Sequence, residues 1–183
     1  MKKIKTAEDL KIRKIVAEKK EAAKEKFMEA KEKYAQSKEN FKAARDRFRE
    51  AKAQGNDAQT IDEAKKLLLN AIDRLVDHLN KIKSQIESNE NIDGNRAKSF
   101  IQDIDAKLSE LGTLKTEAEA ATTKEQLKEI AKKVRGKWTN FEHKAKVYSE
   151  RVPDIPRKGL QIGFIDDDQY LDIVQFMTSS DEE

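Results

Sequence analysis

Few side chains in this sequence are of a type and spacing that does chemistry. His78 and His143 are the two histidines, the side chains whose ordinary pKa lies nearest neutrality. His78 falls seven and fourteen residues after Ala71 and Ala64, on the flank of an apolar stripe. A metal-binding histidine there would need a second ligand one helical turn away, and Arg74 and Ile82 cannot serve. His78 therefore reads as a packing or boundary residue, and His143, beside Glu142 on the exposed side of its helix, reads the same way. Asn89, Asn91, Asp93 and Gly94 match the first half of a calcium-binding loop, but Phe100 stands where the bidentate carboxylate belongs. The segment reads instead as a polar turn, with Asp93 as the N-cap of the next helix.

The remaining candidates also have structural readings. Carboxylates such as Glu21 and Glu25 alternate with Lys24 and Lys26, the pattern of a solvated helix face. Trp138, Phe141 and Tyr148 would make a stacking platform for bases, but they share a face with Leu127 and Val134 and so belong to a core. The chain has no cysteine, which rules out disulfides and thiol chemistry, and it has no glycine-rich phosphate loop or nucleophile elbow. The expectation is a non-enzymatic protein with no cofactor and no metal.

What must be positioned is therefore a surface, and the helices that build it are legible. From Ile61 to Ile86, the series Ile61, Leu68, Leu75, Ile82 and the series Lys65, Ile72, Leu79, Ile86 each repeat every seven residues. With Ala64 and Ala71 they form a stripe wide enough for two neighbouring helices. Thr60 and Glu63 have the spacing of a capping box at its start. Downstream, Ala97, Ile101, Ile104, Leu108, Leu111, Leu114 and Ala118 share a second face. After another capping-box spacing, Thr122 and Glu125, a third face follows: Leu127, Ala131, Val134, Trp138, Phe141, Ala145, Tyr148 and Val152. Loops of a few residues make these helices antiparallel, a three-helix bundle of the spectrin-like kind over residues 57–152. This unit is expected to fold alone.

Before it, residues 1–56 hold one long helix from about Ala7 to Ala53, free of Pro and Gly. Phe27, Tyr34, Phe41 and Phe48 form an aromatic line along it, beside an alanine line of Ala23, Ala30, Ala44 and Ala51 with Ser37 filling the gap. This is a narrow coiled-coil-like seam. It is expected to pack along the bundle of its own chain, with self-association as the second choice. Leu10, Ile12, Ile15 and Val16 leave that register, so the first turns are expected to fray or to pack elsewhere. Gln54 to Asp57, with Gly55, end the helix.

After Pro153 and Pro156 the composition changes. Phe164 to Glu183 contains seven acidic residues and no Lys or Arg, whereas residues 1–53 hold 18 basic and 10 acidic residues. Asp166, Asp167 and Asp168 would charge the start of a short helix with Tyr170, Ile173, Val174 and Met177 on one face. The competing form is a hairpin of Leu160 to Ile165 with Tyr170 to Phe176. In either form the segment 153–183 is an acidic, apolar tail suited to a basic surface.

The segments 71–79 (Ala-Ile-Asp-Arg-Leu-Val-Asp-His-Leu), 86–92 (Ile-Glu-Ser-Asn-Glu-Asn-Ile) and 127–138 (Leu-Lys-Glu-Ile-Ala-Lys-Lys-Val-Arg-Gly-Lys-Trp) resemble uncharacterised helical-bundle and coiled-coil proteins of archaea and candidate-phylum bacteria. Those proteins are commonly exported or membrane-anchored. The resemblance implies no catalytic residue. No apolar run reaches the ~20 residues of a membrane span, and Glu8, Asp9 and Lys11 interrupt what would be a signal-peptide core. The chain is expected to be soluble as written, cytoplasmic if complete and envelope-associated if an export signal or anchor was removed.

These readings converge on a structural or protein-interaction module. Its expected contact residues are Phe27, Tyr34, Phe41, Phe48, Phe164, Tyr170, Ile173, Val174 and Met177, and its partner is another protein or a second copy. Nucleic-acid binding through the basic first helix is the alternative. It is disfavoured because Asp and Glu interrupt the basic residues along the sequence.

Overall fold

The computed structural model describes residues 7–88 and 94–151, with side chains for 14–88 and, apart from Arg96, for 95–139. It is all-α in these residues, with four helices and no strand: α1 (Ala7–Ala53), α2 (Asp57–Glu87), α3 (Gly94–Ala120) and α4 (Lys124–Arg151). Consecutive helices run antiparallel, as their cross-contacts show. Arg47 meets Glu63 while Tyr34 meets His78; Asp73 meets Lys115 while Lys83 meets Asp105; Glu117 meets Lys133 while Glu110 meets Lys137.

Helix α2 touches all three others, one more neighbour than its stripe predicts. The expected positions Ala64, Leu68, Ala71, Ile72, Leu75, Leu79, Ile82 and Ile86 are buried, and Ile61 is half-buried. Thr60, Leu67 and His78 are also buried, and His78 meets both Tyr34 of α1 and Trp138 of α4. They widen the contact surface on a flank that hydrophobicity alone does not mark. Phe41, Ala44 and Phe48 of α1 join Phe100, Ile104 and Leu111 of α3 and Leu127, Val134 and Trp138 of α4 in a single apolar cluster around α2.

Lys65, the charged residue within the α2 stripe, has a definite job. Its ammonium donates to the carbonyls of Glu119 (2.6 Å) and Ala121 (2.9 Å), at the C-terminal end of α3. Those carbonyls have no partner within their own helix and lie at the negative pole of its dipole, so a cation there satisfies both demands.

Two helix starts differ from expectation. The N-cap of α2 is Asn56, whose side chain accepts from the Gln59 amide at 3.2 Å. Thr60 is already inside the helix, its hydroxyl donating to the Asn56 carbonyl at 2.7 Å. Glu63 spends its carboxylate on Lys66 and Arg47. Asn is as good a cap as Thr and comes first, directly after Gly55, which turns the chain at φ +67°. At α4 the reciprocal cap is Thr123 with Gln126, one residue beyond the expected pair. The Gln126 amide donates to the Thr123 hydroxyl and the Thr123 amide donates back to the Gln126 side chain.

Candidate functional site

The line of large residues along α1 is divided by the structure. Phe41 and Phe48 are buried against α2 of the same chain and offer no face to a separate molecule. Tyr34 is half-buried and lies on His78, ring centroids 4.7 Å apart at 49°. Phe27 is half-buried. Among the companion residues, Ala30, Ser37, Ala44 and Ala51 are buried while Ala23 is half-buried.

Ser37 interrupts the alanine line for a reason. Its hydroxyl donates to the Tyr34 carbonyl at 3.0 Å. It also lies beside Asp77, whose carboxyl is pushed above its usual range by burial.

His78 stands where three helices meet. Its ring lies between Tyr34 of α1 and Trp138 of α4, the latter with centroids 6.2 Å apart at 58°. Only 6% of the residue is exposed. Neither ring nitrogen makes a hydrogen bond to a described group. Burial holds its pKa down at about 4, reinforced by the charges of Lys81 and Arg74, so the imidazole is neutral at pH 7. Among the described residues no three His, Asp or Glu side chains are arranged to hold a metal. His78 is an aromatic packing element within this frame.

Trp138 is buried in the core at 1% exposure, and so is Phe100, the residue in the last position of the calcium-loop spacing. The polar turn 89–93, the side chains of Phe141, His143, Ala145 and Tyr148, and the segment 152–183 lie outside the described residues. That segment contains Phe164, Tyr170, Ile173, Val174 and Met177.

The register between α1 and α2 exposes the first third of α1. With Tyr34 opposite His78, the end of α2 at Glu87 falls level with about residue 25 of α1, so roughly 25 Å of α1 runs on past it at 1.5 Å per residue. The backbone is helical from Ala7. Ile15 and Val16 stand on that projecting part and Met28 lies just short of it, beside the last turn of α2, each more than half exposed. Leucine or isoleucine exposed on a helix flanked by water is ordinary when single, but these three large apolar residues all fall on the same end of the same helix.

Sequence reasoning overlooked a charge arrangement. Lys24, Lys31, Lys38, Arg45 and Lys52 recur every seven residues, immediately after the alanine line, while Glu18, Glu25, Glu32, Glu39 and Asp46 recur every seven on the next position outward. The acids at 18, 25, 32, 39 and 46 thus lie on a different line of the helix from these five basic residues, although Glu21 reaches across to Lys24 at 3.7 Å. Counting by heptads finds this line. Only the structure shows that Arg74 and Lys81 of α2 lie against it, with Lys81 5.0 Å and Lys38 6.0 Å from the centroid of Tyr34, and Arg74 5.3 Å from that of Phe41.

An open groove of about 500 Å³ lies at the α3–α4 elbow, floored by Ala121 and Ile130 and rimmed by Glu125 and Glu129. Its other rim acid, Glu117, is paired with Lys133 at 2.8 Å. Among the described residues no helix is long and apolar enough to cross a membrane. No protein-family model matches this chain, and no curated protein or solved structure matches it.

Proposed function

We propose that this chain is a non-enzymatic protein-interaction module. Its helical body acts as a base from which the N-terminal part of α1 reaches a protein partner, and the acidic C-terminal segment is a second docking element. The observation that supports this reading is the projecting end of α1, where Ile15 and Val16 are each more than half exposed, with Met28 equally exposed beside the last turn of α2. A helix that continues past its own bundle gains no core contact there. Exposed apolar residues clustered on such an end are the kind of feature that marks a contact surface.

The test is a photo-crosslinking residue placed at Val16, compared with one at the exposed Gln102 on α3. A discrete protein adduct formed from Val16 and abolished by Met28→Glu supports the reading; equal labelling from both positions removes it. Sedimentation across a concentration series then separates a second copy of the chain from a different partner.

A second reading, nucleic-acid binding, is favoured by the basic residues gathered around Tyr34 and Phe41. It requires generic single-stranded RNA to bind with an affinity that falls steeply with salt.

A further inference from the structure

Among the described residues, several charges at helix seams are matched. Arg47 meets Glu63, Asp73 meets Lys115, Lys83 meets Asp105 and Lys133 meets Glu117. One edge of the α1–α2 seam breaks this pattern. There Lys38 of α1 converges with Arg74 and Lys81 of α2 around the rings of Tyr34 and Phe41, and Lys31, one heptad before Lys38, adds its charge to the field at Lys81. Among the described residues, none of the four is in an ion pair. Arg45, the next residue of the same line, reaches only its sequence neighbour Asp46, at 3.4 Å, and leaves a buried Nε without a partner. The Lys81 ammonium is held below its usual pKa by burial and by the like charges of Lys31 and Lys38. An edge that repels itself in this way is relieved by an anion.

The chain contains a suitable one. Residues 164–183 hold seven carboxylates and no Lys or Arg. Helix α4 runs parallel to α2, since Lys65 meets Ala121 and His78 meets Trp138. Its end at Arg151 therefore lies about 20 Å beyond the level of His78. The chain from there to Asp166 spans up to roughly 45 Å when extended, enough to bring that residue back to the level of Lys38. A segment tethered this way acts at an effective concentration of order millimolar.

We propose that residues 164–183 dock on this edge, with Asp166, Asp167 and Asp168 set against Lys31, Lys38, Arg74 and Lys81. The segment is then an internal ligand that any external polyanion must displace. This rests on the interaction-module reading only in treating the C-terminal segment as a docking element. The projecting part of α1 is not involved, so crosslinking at Val16 and the experiment below fail independently.

The experiment is limited proteolysis of the full chain with a protease that cuts after aromatic residues, at low salt and at ~0.5 M salt, where the Debye length is only a few Å. Cutting at Phe164, Tyr170 and Phe176 is expected to be at least about tenfold slower at low salt, a margin typical of a modest electrostatic docking energy. Lys31→Glu, Lys38→Glu and Lys81→Glu together should abolish that protection, and adding Asp166→Lys, Asp167→Lys and Asp168→Lys should restore it. Circular dichroism of each variant checks that the helices persist. Lys31→Gln with Lys38→Gln, both at exposed positions, gives a milder pair if the triple variant fails to fold.

Equal cutting at both salts overturns the proposal, and so does protection that survives charge reversal. Protection that rises with protein concentration also overturns it, by assigning the segment to a second copy. Single-stranded RNA should bind the variant with Asp166, Asp167 and Asp168 changed to Asn more tightly than the unaltered chain. Equal binding would show the edge to be open and would likewise overturn the proposal.

Discussion

The two ends of α1 share one sequence pattern and have different fates. From Ala30 to Ala51 the heptad line is sealed against α2, with Phe41 and Phe48 almost fully buried. From Lys14 to Glu29 every described residue is exposed or at most half-buried, although Phe27 and Ala23 belong to the same two lines. The helix does not change character between them. What changes is that α2 ends at Glu87. A heptad line records that a helix can be covered; the length of its neighbour decides how much of it is.

Truncating one large apolar side chain on each part of α1 tests that contrast most strongly. Phe48→Ala should cost about 3–5 kcal/mol, because a buried ring is removed from a packed cluster, while Met28→Ala should stay within about 0.5 kcal/mol. Urea unfolding followed by circular dichroism measures both, and similar losses would show that the two ends are not energetically distinct.

Next in size is the pH dependence that follows from covering Tyr34 and His78. The folded-state pKa of His78 is about 4, against an ordinary 6.5. Between those values the unfolded chain binds a proton that the folded chain refuses, so stability falls as pH drops from 6.5 to 4 and is fully present above 6.5. The loss amounts to roughly 3 kcal/mol at most. His78→Phe should flatten this part of the stability–pH curve; an unchanged slope would place the imidazole in water and the covered part of α1 off its seam.

At the packed end of the molecule, Lys65→Met keeps the aliphatic stem but strands two carbonyls. It should cost about 1.5–3 kcal/mol, the range for hydrogen bonds to a charged group. Lys132→Met, on the surface of α4 and paired one turn away with Glu129, should cost less than about 1 kcal/mol. A cost for Lys65→Met no larger than that would mean its bonds to α3 contribute nothing measurable. The smallest effect belongs to the projecting end: Ile15→Lys with Val16→Lys should leave the unfolding midpoint within about 0.5 kcal/mol of its starting value. A larger loss would mean those residues are covered within the chain.

Much of the architecture was readable because four helices with strong periodicity leave little choice. The limits of α1 and the stripe of α2 follow from apolar spacing and from Gly55 alone. The helix starts were misplaced by one to four residues, since Asn56 and Thr60, or Thr122 and Thr123, are chemically equivalent caps and only backbone geometry selects between them. The packing of α1 along the bundle was expected from its aromatic line, but that α2 receives it was not legible, because His78, which meets both α1 and α4, is not apolar. The role of Lys65 was hidden for a related reason: its partners are carbonyls, which every residue has. The basic edge needed both levels, since the heptad of Lys31, Lys38 and Arg45 is in the sequence but its meeting with Arg74 and Lys81 is a fact of packing.

The placement of His78 also gives the molecule its own optical and magnetic reporter. Trp138 is the single tryptophan of the chain, and its ring centroid lies 6.2 Å from the imidazole. A protonated imidazole quenches indole emission far more than a neutral one, so the fluorescence of this protein tracks the charge of one buried side chain. On its other side the ring current of Tyr34, 4.7 Å away, displaces the His78 carbon-bound proton resonances. Lifting α1 from its seam removes that displacement while Trp138 stays in place, so separation of the first helix can be followed at a single residue without attaching any label.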